Sequence, residues 1–238
     1  MTADQPLTAV ILAGGFGTRL RPVVSELPKP MAPVGQRPFL EFLLDHWLEQ
    51  GVGRFILSVG YLADSVIGHF GSSYRGAAVE YVREEEPLGT GGALRLALET
   101  AEGLSPRLLM LNGDTWLAAS LDRLLSEAAV LACPLTLVLT EVPANDRYGG
   151  VELSPDGRIR QFGLPADGSA ALINAGCYLA ATEEMKKFMA PMPGKFSLEN
   201  DLLPDLARRS LIGASVQKAD FIDIGVPEDY EKFCRQFS

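Results

Sequence analysis

Glycines crowd the segment Gly14-Gly15-Phe16-Gly17-Thr18-Arg19, directly after the apolar run Ala9 to Leu12. A buried strand that opens into glycines exposes backbone N–H groups where a phosphate can approach closely. Arg19, and Lys29 within Pro28-Lys29-Pro30, add fixed positive charge. These parts describe a nucleotide-phosphate site that carries its own cations. Two familiar phosphate motifs are excluded. The Walker pattern needs Gly followed by Lys and Ser/Thr at the head of a helix, whereas Thr18 and Arg19 follow Gly17. The dinucleotide fingerprint needs a third small residue for close helix–strand packing, and counting from Gly15 and Gly17 that place is held by Leu20.

Two carboxylates stand out. Asp114 closes Asn112-Gly113-Asp114 after the apolar run Leu108 to Leu111, and Asp223 follows Phe221-Ile222. In open α/β sheets, ligands bind outside the carboxyl ends of the strands, so a carboxylate there faces the crevice. The plainer alternatives are an Asn-Gly-Asp turn and a helix cap. Magnesium takes few protein carboxylates and keeps waters and phosphate oxygens as its other ligands. The pair Asp114 and Asp223 therefore suits a Mg²⁺ ion that arrives with a nucleoside triphosphate.

The stretch Glu84-Glu85-Glu86-Pro87-Leu88-Gly89-Thr90-Gly91-Gly92 reads as a defined loop, because Pro and Gly follow the acids. Its backbone can press against a flat base, with Glu86 as the candidate acceptor for ring N–H donors such as guanine N1 and N2. Tyr148-Gly149-Gly150, Asn174-Ala175-Gly176 and Phe196-Ser197-Leu198-Glu199 fall in the region left for a second substrate. Asn and Glu side chains suit vicinal sugar hydroxyls. The alternatives are a strand-end turn for Asn174 and a helix first turn for Glu199.

These residues need a scaffold. Strand signals at Ala9–Ala13, Arg54–Val59, Val79–Val82 and Arg107–Leu111 alternate with helical spacing at Pro38–Gln50, Leu62–Phe70, Gly91–Thr100 and Leu121–Val130. Such alternation predicts parallel strands with crossover helices, hence a three-layer αβα, Rossmann-like sandwich with a mainly parallel, mixed sheet. After Leu135–Thr140 the period changes. Val151–Leu153, Arg158–Phe162 and Leu172–Leu179 read as short strands, with a Pro155-Asp156-Gly157 turn between the first two. Helical patterns return at Thr182–Met189, Leu198–Arg209 and Pro227–Phe237. The reading is one domain, 1–238, with a nucleotide-binding half at 1–147 and a sugar-phosphate-binding half at 148–238. A small strand-rich, sugar-binding lobe is expected from Tyr148 to Leu198.

The net charge of −9 argues against wrapping nucleic acid and against a basic membrane-binding surface. An acidic protein that handles phosphates must concentrate cations locally or borrow a metal ion. Cys133, Cys177 and Cys234 are widely spaced and read as small apolar residues in a reducing compartment. His46 and His69 fall in helical stretches and read as packing or surface residues. Met1 to Thr8 lacks the pattern of a signal peptide, and no apolar run is long enough to span a membrane. The expected setting is the cytoplasm.

The motifs together resemble the sugar-1-phosphate nucleotidyltransferases. The resemblance rests on Gly15-Phe16-Gly17-Thr18-Arg19 with Pro28-Lys29, on Glu86 to Gly92, on Asn112-Gly113-Asp114 and on Phe221 to Gly225. Within that family the chain is most similar to the D-glycero-D-manno-heptose 1-phosphate guanylyltransferases. Leu27-Pro28-Lys29-Pro30-Met31-Ala32-Pro33, Ser58-Val59-Gly60-Tyr61 and Phe196-Ser197-Leu198-Glu199 carry that likeness.

The resemblance implies roles. The backbone of Leu12, Ala13, Gly14 and Gly15 and the Gly89–Gly92 loop hold base and ribose. Gly17, Thr18, Gly91 and Asn112 complete the nucleotide side, Arg19 and Lys29 bind the triphosphate, and Asp114 and Asp223 hold Mg²⁺. Gly150, Asn174 and Glu199 contact the sugar, and Arg19, Lys29 and Asp114 are the catalytic set. The implied substrates are a nucleoside triphosphate, GTP in that subgroup, and a sugar 1-phosphate. The products are an NDP-sugar and pyrophosphate. A uridylyltransferase for mannose, glucose or N-acetylmuramate 1-phosphate is the alternative reading, and a non-catalytic sensing subunit is another. Many relatives grip the sugar phosphate with a Lys in the strand-rich lobe, where this chain reads Phe162-Gly163-Leu164-Pro165. Arg147, Arg160 and Lys195 are the cations left to replace it. The sequence does not fix the oligomeric state, a homo-oligomer included.

Overall fold

In the strand Leu7–Leu12 the residues Ala9, Val10 and Ile11 are all without exposure. A strand covered on both faces is what a parallel sheet between two helical layers demands. The computed structural model, which describes residues 6–20, 22–24, 26–143, 147–164 and 170–238, builds that sheet. The residues Met1 to Gln5 and Pro165, used in the readings above, lie outside the described set.

Leu7–Leu12 pairs in parallel with Val52–Val59 on one side and with Arg107–Asn112 on the other. Ala77–Arg83 extends the first side, in parallel, and Ser73–Tyr74 closes that edge. On the second side Ala170–Ala181 runs antiparallel to Arg107–Asn112 and to Leu135–Pro143, and Ile212–Val216 joins the latter in parallel. The hairpin Gly150–Leu153 and Ile159–Leu164 pairs onto Ala170–Ala181, so the region expected to form a strand-rich lobe continues the ten-stranded sheet.

Alternate residues of each central strand feed separate cores. Ala9, Ile11, Phe55 and Leu57 pack with the helices Phe39–Glu49, Ala63–Phe70 and Leu121–Leu131. Val10, Ile56 and Met110 pack with the helices Gly89–Thr100, Thr182–Met189 and Leu203–Arg208. The three-layer αβα architecture follows directly. Among the described residues no helix is long and apolar enough to cross a membrane.

Two elements differ from expectation. The predicted helix over Leu198–Arg209 divides into a π-turn, Leu198–Leu202, and a helix, Leu203–Arg208. Pro204 has no N–H to give, which removes one helical bond and lets the turn widen. The strand Phe221–Asp223 does not join the main sheet. It forms a two-stranded antiparallel ribbon with Thr115–Leu117, in which Asp223 lies opposite Thr115. A third core of Leu20, Phe39, Trp116, Ile222, Ile224 and Phe233 fastens this ribbon to the helix Pro227–Phe237. Phe39 and Phe233, 4.9 Å apart, and Trp116 and Phe237, 5.1 Å apart, meet edge to face, while Phe233 and Phe237 stack.

Candidate active site

From Leu12 the chain leaves for one edge of the sheet and from Asn112 it serves the other, while the two residues are direct parallel partners. A crevice at the carboxyl ends of neighbouring strands that diverge in this way is where α/β sheets bind ligands. Gly113 donates its N–H to the Leu12 carbonyl at 2.9 Å, and a Cβ there would stand 2.6 Å from that oxygen. Only glycine lets the two backbones meet, and Asp114 is delivered at once beyond the turn. The ribbon brings in Asp223, and the Ile224 N–H bonds the Asp114 carbonyl at 3.0 Å.

Lys29 opens a short 3₁₀ turn, Lys29–Met31, packed behind the glycine loop. Gly17 has φ +57°, and a side chain there would press on Lys29 Cβ at 3.0 Å. The Lys29 ammonium is buried and lies 2.5 Å from Asp114 Oδ2 and 3.6 Å from Asp223 Oδ1. Arg147 continues the cluster, donating to Asp223 Oδ2 at 3.0 Å and pairing with Asp229 on the C-terminal helix.

This cluster stands between two cavities. The first, about 360 Å³, is lined by residues 12–19, Lys29, Glu84, Pro87, Gly89, Thr90, Asn112 and Asp114. Leu12, Ala13, Gly14, Gly15, Gly17, Thr18, Arg19, Lys29, Asn112 and Asp114 are thus brought together as the sequence reading placed them. Arg19 is exposed and forms no salt bridge among the described residues. Two residues are not brought in. Glu86 is exposed and lines neither cavity. Gly91 is buried, gives its N–H to the Phe196 carbonyl at 3.1 Å, and would drive a Cβ to 2.1 Å from the Phe196 ring. The glycines at 91 and 92 serve contact with the segment 194–198 rather than with the cavity.

Glu84, rather than Glu86, lines the first cavity. It follows the strand Ala77–Arg83, so the strand-end rule that found Asp114 could have found it. Its carboxylate accepts from Ser58 Oγ and from the Leu88 N–H, both at 3.2 Å. Burial holds its pKa above the ordinary 4.5, against the pull of these two bonds.

The second cavity, about 500 Å³, is lined by Asn112, Thr115, Arg147, Tyr148, Gly149, Asn174, Gly176, Glu199 and Asp223, among others. Asn174 and Glu199 face it, whereas Gly150 is a buried strand residue next to Gly149, which does line it. Asn112 borders both cavities, and its Oδ1 is buried with no hydrogen-bond partner among the described residues. Of the three cations considered for the missing Lys, Arg147 borders this cavity. Arg160 pairs with Glu152 on the surface, and Lys195 is exposed away from the cavity.

The donor set also bears on a metal. No three His, Cys, Asp or Glu side chains converge among the described residues. Asp114 and Asp223 share one ammonium, and Asp114 Oδ1 accepts from the Thr115 hydroxyl at 3.2 Å. Two hard carboxylates without a third protein ligand fit an ion that keeps water and phosphate oxygens. His46 and His69 lie elsewhere. His46 bonds the Ala119 carbonyl, with its pKa lowered by burial, and His69 pairs with Glu41. The cysteines are free and dispersed.

The nucleotidyl transferase family profile matches residues 8–237. A D-glycero-alpha-D-manno-heptose 1-phosphate guanylyltransferase of Aneurinibacillus thermoaerophilus is 37% identical over 227 residues, covering 95% of this chain and 96% of that one. Its namesake from Campylobacter jejuni is 36% identical over 228 residues, covering 95% and 98%. Crystal structures of HddC from Yersinia pseudotuberculosis, one complexed with GMP-PN, superpose with TM-score 0.84 at 35% identity, covering 98% of this chain and all of that one. The chain belongs to the nucleotidyl transferase family and is a sugar-1-phosphate nucleotidyltransferase.

Proposed function

We propose that this enzyme transfers GMP from GTP to D-glycero-α-D-manno-heptose 1-phosphate, giving the GDP-sugar and pyrophosphate. One observation carries the reading. Two cavities, one glycine-walled and one bearing Asn174 and Glu199, meet where the buried Lys29 pairs with Asp114 and Asp223. That is where two anionic substrates must be brought together. The relatives at 36–37% identity and the nucleotide complex of HddC support guanine and the heptose.

A phosphate oxygen of the sugar 1-phosphate attacks the α-phosphorus in line, the bond to the β-phosphate oxygen breaks, and pyrophosphate leaves. The nucleophile is already an anion, since the second pKa of a phosphate monoester is near 6. No general base is required, in keeping with histidines that lie outside the site. Lys29 and Arg19 hold the triphosphate and stabilise charge as it moves to the leaving group. Arg147 takes the sugar phosphate, in place of the lysine found in many relatives. Glu84, rather than Glu86, accepts from guanine N1 and N2. A Mg²⁺ ion held by Asp114 and Asp223 supplies further charge neutralisation at the phosphates.

The test is a matrix of nucleoside triphosphates against heptose, mannose, glucose and N-acetylmuramate 1-phosphates, scored by pyrophosphate released. GTP with the heptose 1-phosphate is expected to give the highest kcat/KM. A higher value for UTP, or for another sugar, overturns that choice of substrates.

A further inference from the structure

Thr90 lines the first cavity and Glu199 lines the second, yet they are joined by a short hydrogen bond, Thr90 Oγ1 donating to Glu199 Oε2 at 2.5 Å. The Thr90 oxygen also accepts the Leu198 N–H at 2.9 Å. Its proton is therefore spent on the far wall and is not offered to a nucleotide. The surrounding backbone ties the same two segments. Gly91 and Gly92 donate to the Phe196 carbonyl at 3.1 and 3.3 Å, and Phe196 donates to the Leu88 carbonyl at 3.0 Å.

The bond continues into the second cavity's wall. Asn174 Nδ2 donates to the Tyr178 hydroxyl at 2.8 Å. With that oxygen used as an acceptor, the Tyr178 proton is left for the neighbouring carboxylate of Glu199. Tyr178 is fully buried, and burial together with Glu199 keeps its hydroxyl protonated. One chain of polar groups thus runs from the nucleotide loop through Glu199 and Tyr178 to Asn174. In a medium of low dielectric the hydrogen bonds of such a chain strengthen one another.

We infer that Thr90 is a positioning residue that couples the two substrate cavities: a nucleotide packed against the first turn of the helix Gly89–Thr100 holds Thr90, and through it the rotamer of Glu199, and so tightens the sugar 1-phosphate. The inference rests on the proposed function above. Coupling between two sites is reciprocal, so each ligand must raise affinity for the other by the same factor.

Calorimetry on the whole protein tests it, with a non-hydrolysable GTP analogue and D-glycero-α-D-manno-heptose 1-phosphate. In the unaltered enzyme each ligand is expected to tighten the other by roughly fivefold or more, within the usual range of such couplings. Thr90→Val keeps the shape and removes the hydroxyl. It should bring that factor to about one and raise KM for the sugar 1-phosphate about tenfold, with affinity for the GTP analogue within about threefold. Thr90→Ser should restore both values. A merely structural role would weaken both ligands together, and that result overturns the inference, as does an unaltered enzyme that binds the two independently. Absence of pyrophosphate release from the unaltered enzyme with every sugar 1-phosphate overturns the proposed function as well. Activity without coupling overturns the inference alone.

Discussion

Replacing Glu84 by Gln separates what this carboxylate costs the fold from what it gives the site. The folded protein half-buries it with two neutral donors at 3.2 Å, and burial raises its pKa above 4.5. A carboxyl group whose folded pKa is raised binds its proton more readily folded than unfolded, so ionising it lowers stability. The penalty is absent below about pH 4.5, grows as pH rises through the folded pKa, and is constant above it. Glu84→Gln is therefore expected to raise Tm at neutral pH, with the gain vanishing in acid. Catalysis should move the other way. An ionised carboxylate can accept from guanine N1 and N2 at once, whereas Gln must turn one donor toward a donor. Losing a charge-assisted hydrogen bond costs about 1.5–3 kcal/mol, or roughly 10- to 150-fold in kcat/KM for GTP. ATP, lacking that donor pair, should change by only about threefold. Pyrophosphate release with GTP and ATP, beside thermal melts from pH 4 to 8, measures both effects. An unchanged GTP-to-ATP ratio would refute the guanine contact, and a lower neutral-pH Tm would refute the burial cost.

Other expectations follow from the same contacts. Lys29→Met removes the ammonium shared by Asp114 and Asp223, and kcat should fall on the order of a hundredfold, the effect of about 2–4 kcal/mol for a lost transition-state donor; wild-type turnover would remove Lys29 from the mechanism. Arg147→Met should raise KM for the sugar 1-phosphate about tenfold or more and leave KM for GTP within about threefold. Equal shifts in both would mean that Arg147 shapes the site without holding phosphate. Gly91→Ala reverses the usual sign of a helix substitution. Alanine ordinarily gains about 1 kcal/mol over glycine in a helix, but here its Cβ would lie 2.1 Å from the buried Phe196 ring. Overpacking of about 1–3 kcal/mol should dominate, visible as a lower urea midpoint.

The layers were legible because period and burial agree. Ala9, Val10 and Ile11 form a continuous apolar run, and the parallel strand they make is covered on both sides. The glycine loop and Asp114 were legible for a similar reason: each follows closely on a strand end, at Leu12 and at Asn112, where sequence neighbours are also spatial neighbours. The elements that escaped lack local signals. Ile212–Val216 mixes Gly, Ala and Ser and shows no alternation, so its place beside Leu135–Pro143 is a tertiary outcome. Asp223 was visible as a candidate, but its ribbon with Thr115–Leu117 depends on packing against Trp116 and Phe233. Among Glu84, Glu85 and Glu86 the spacing alone does not say which turns inward. The strand end decides it, and the strand runs two residues nearer to Glu84 than to Glu86.

Charge placement explains why an acidic protein can unite two phosphates. At rest the cations of the junction already have partners, Lys29 with Asp114 and Asp223, and Arg147 with Asp223 and Asp229. With three carboxylates to two cations the junction carries a formal charge of −1, and the fold does not bury either cation alone. On the proposed reading, incoming phosphates would draw Lys29 and Arg147 toward themselves, leaving Asp114 and Asp223 as the groups that would hold a divalent ion. Such an exchange keeps each charge compensated at every stage, which a cluster of unpaired lysines would not. It also makes the aspartates more than ligands in waiting, since without them the cations would have no low-energy arrangement in the empty site. The same logic places Asp223 at the centre, because it is the carboxylate that touches both Lys29 and Arg147, and so the group through which the two phosphate positions feel one another.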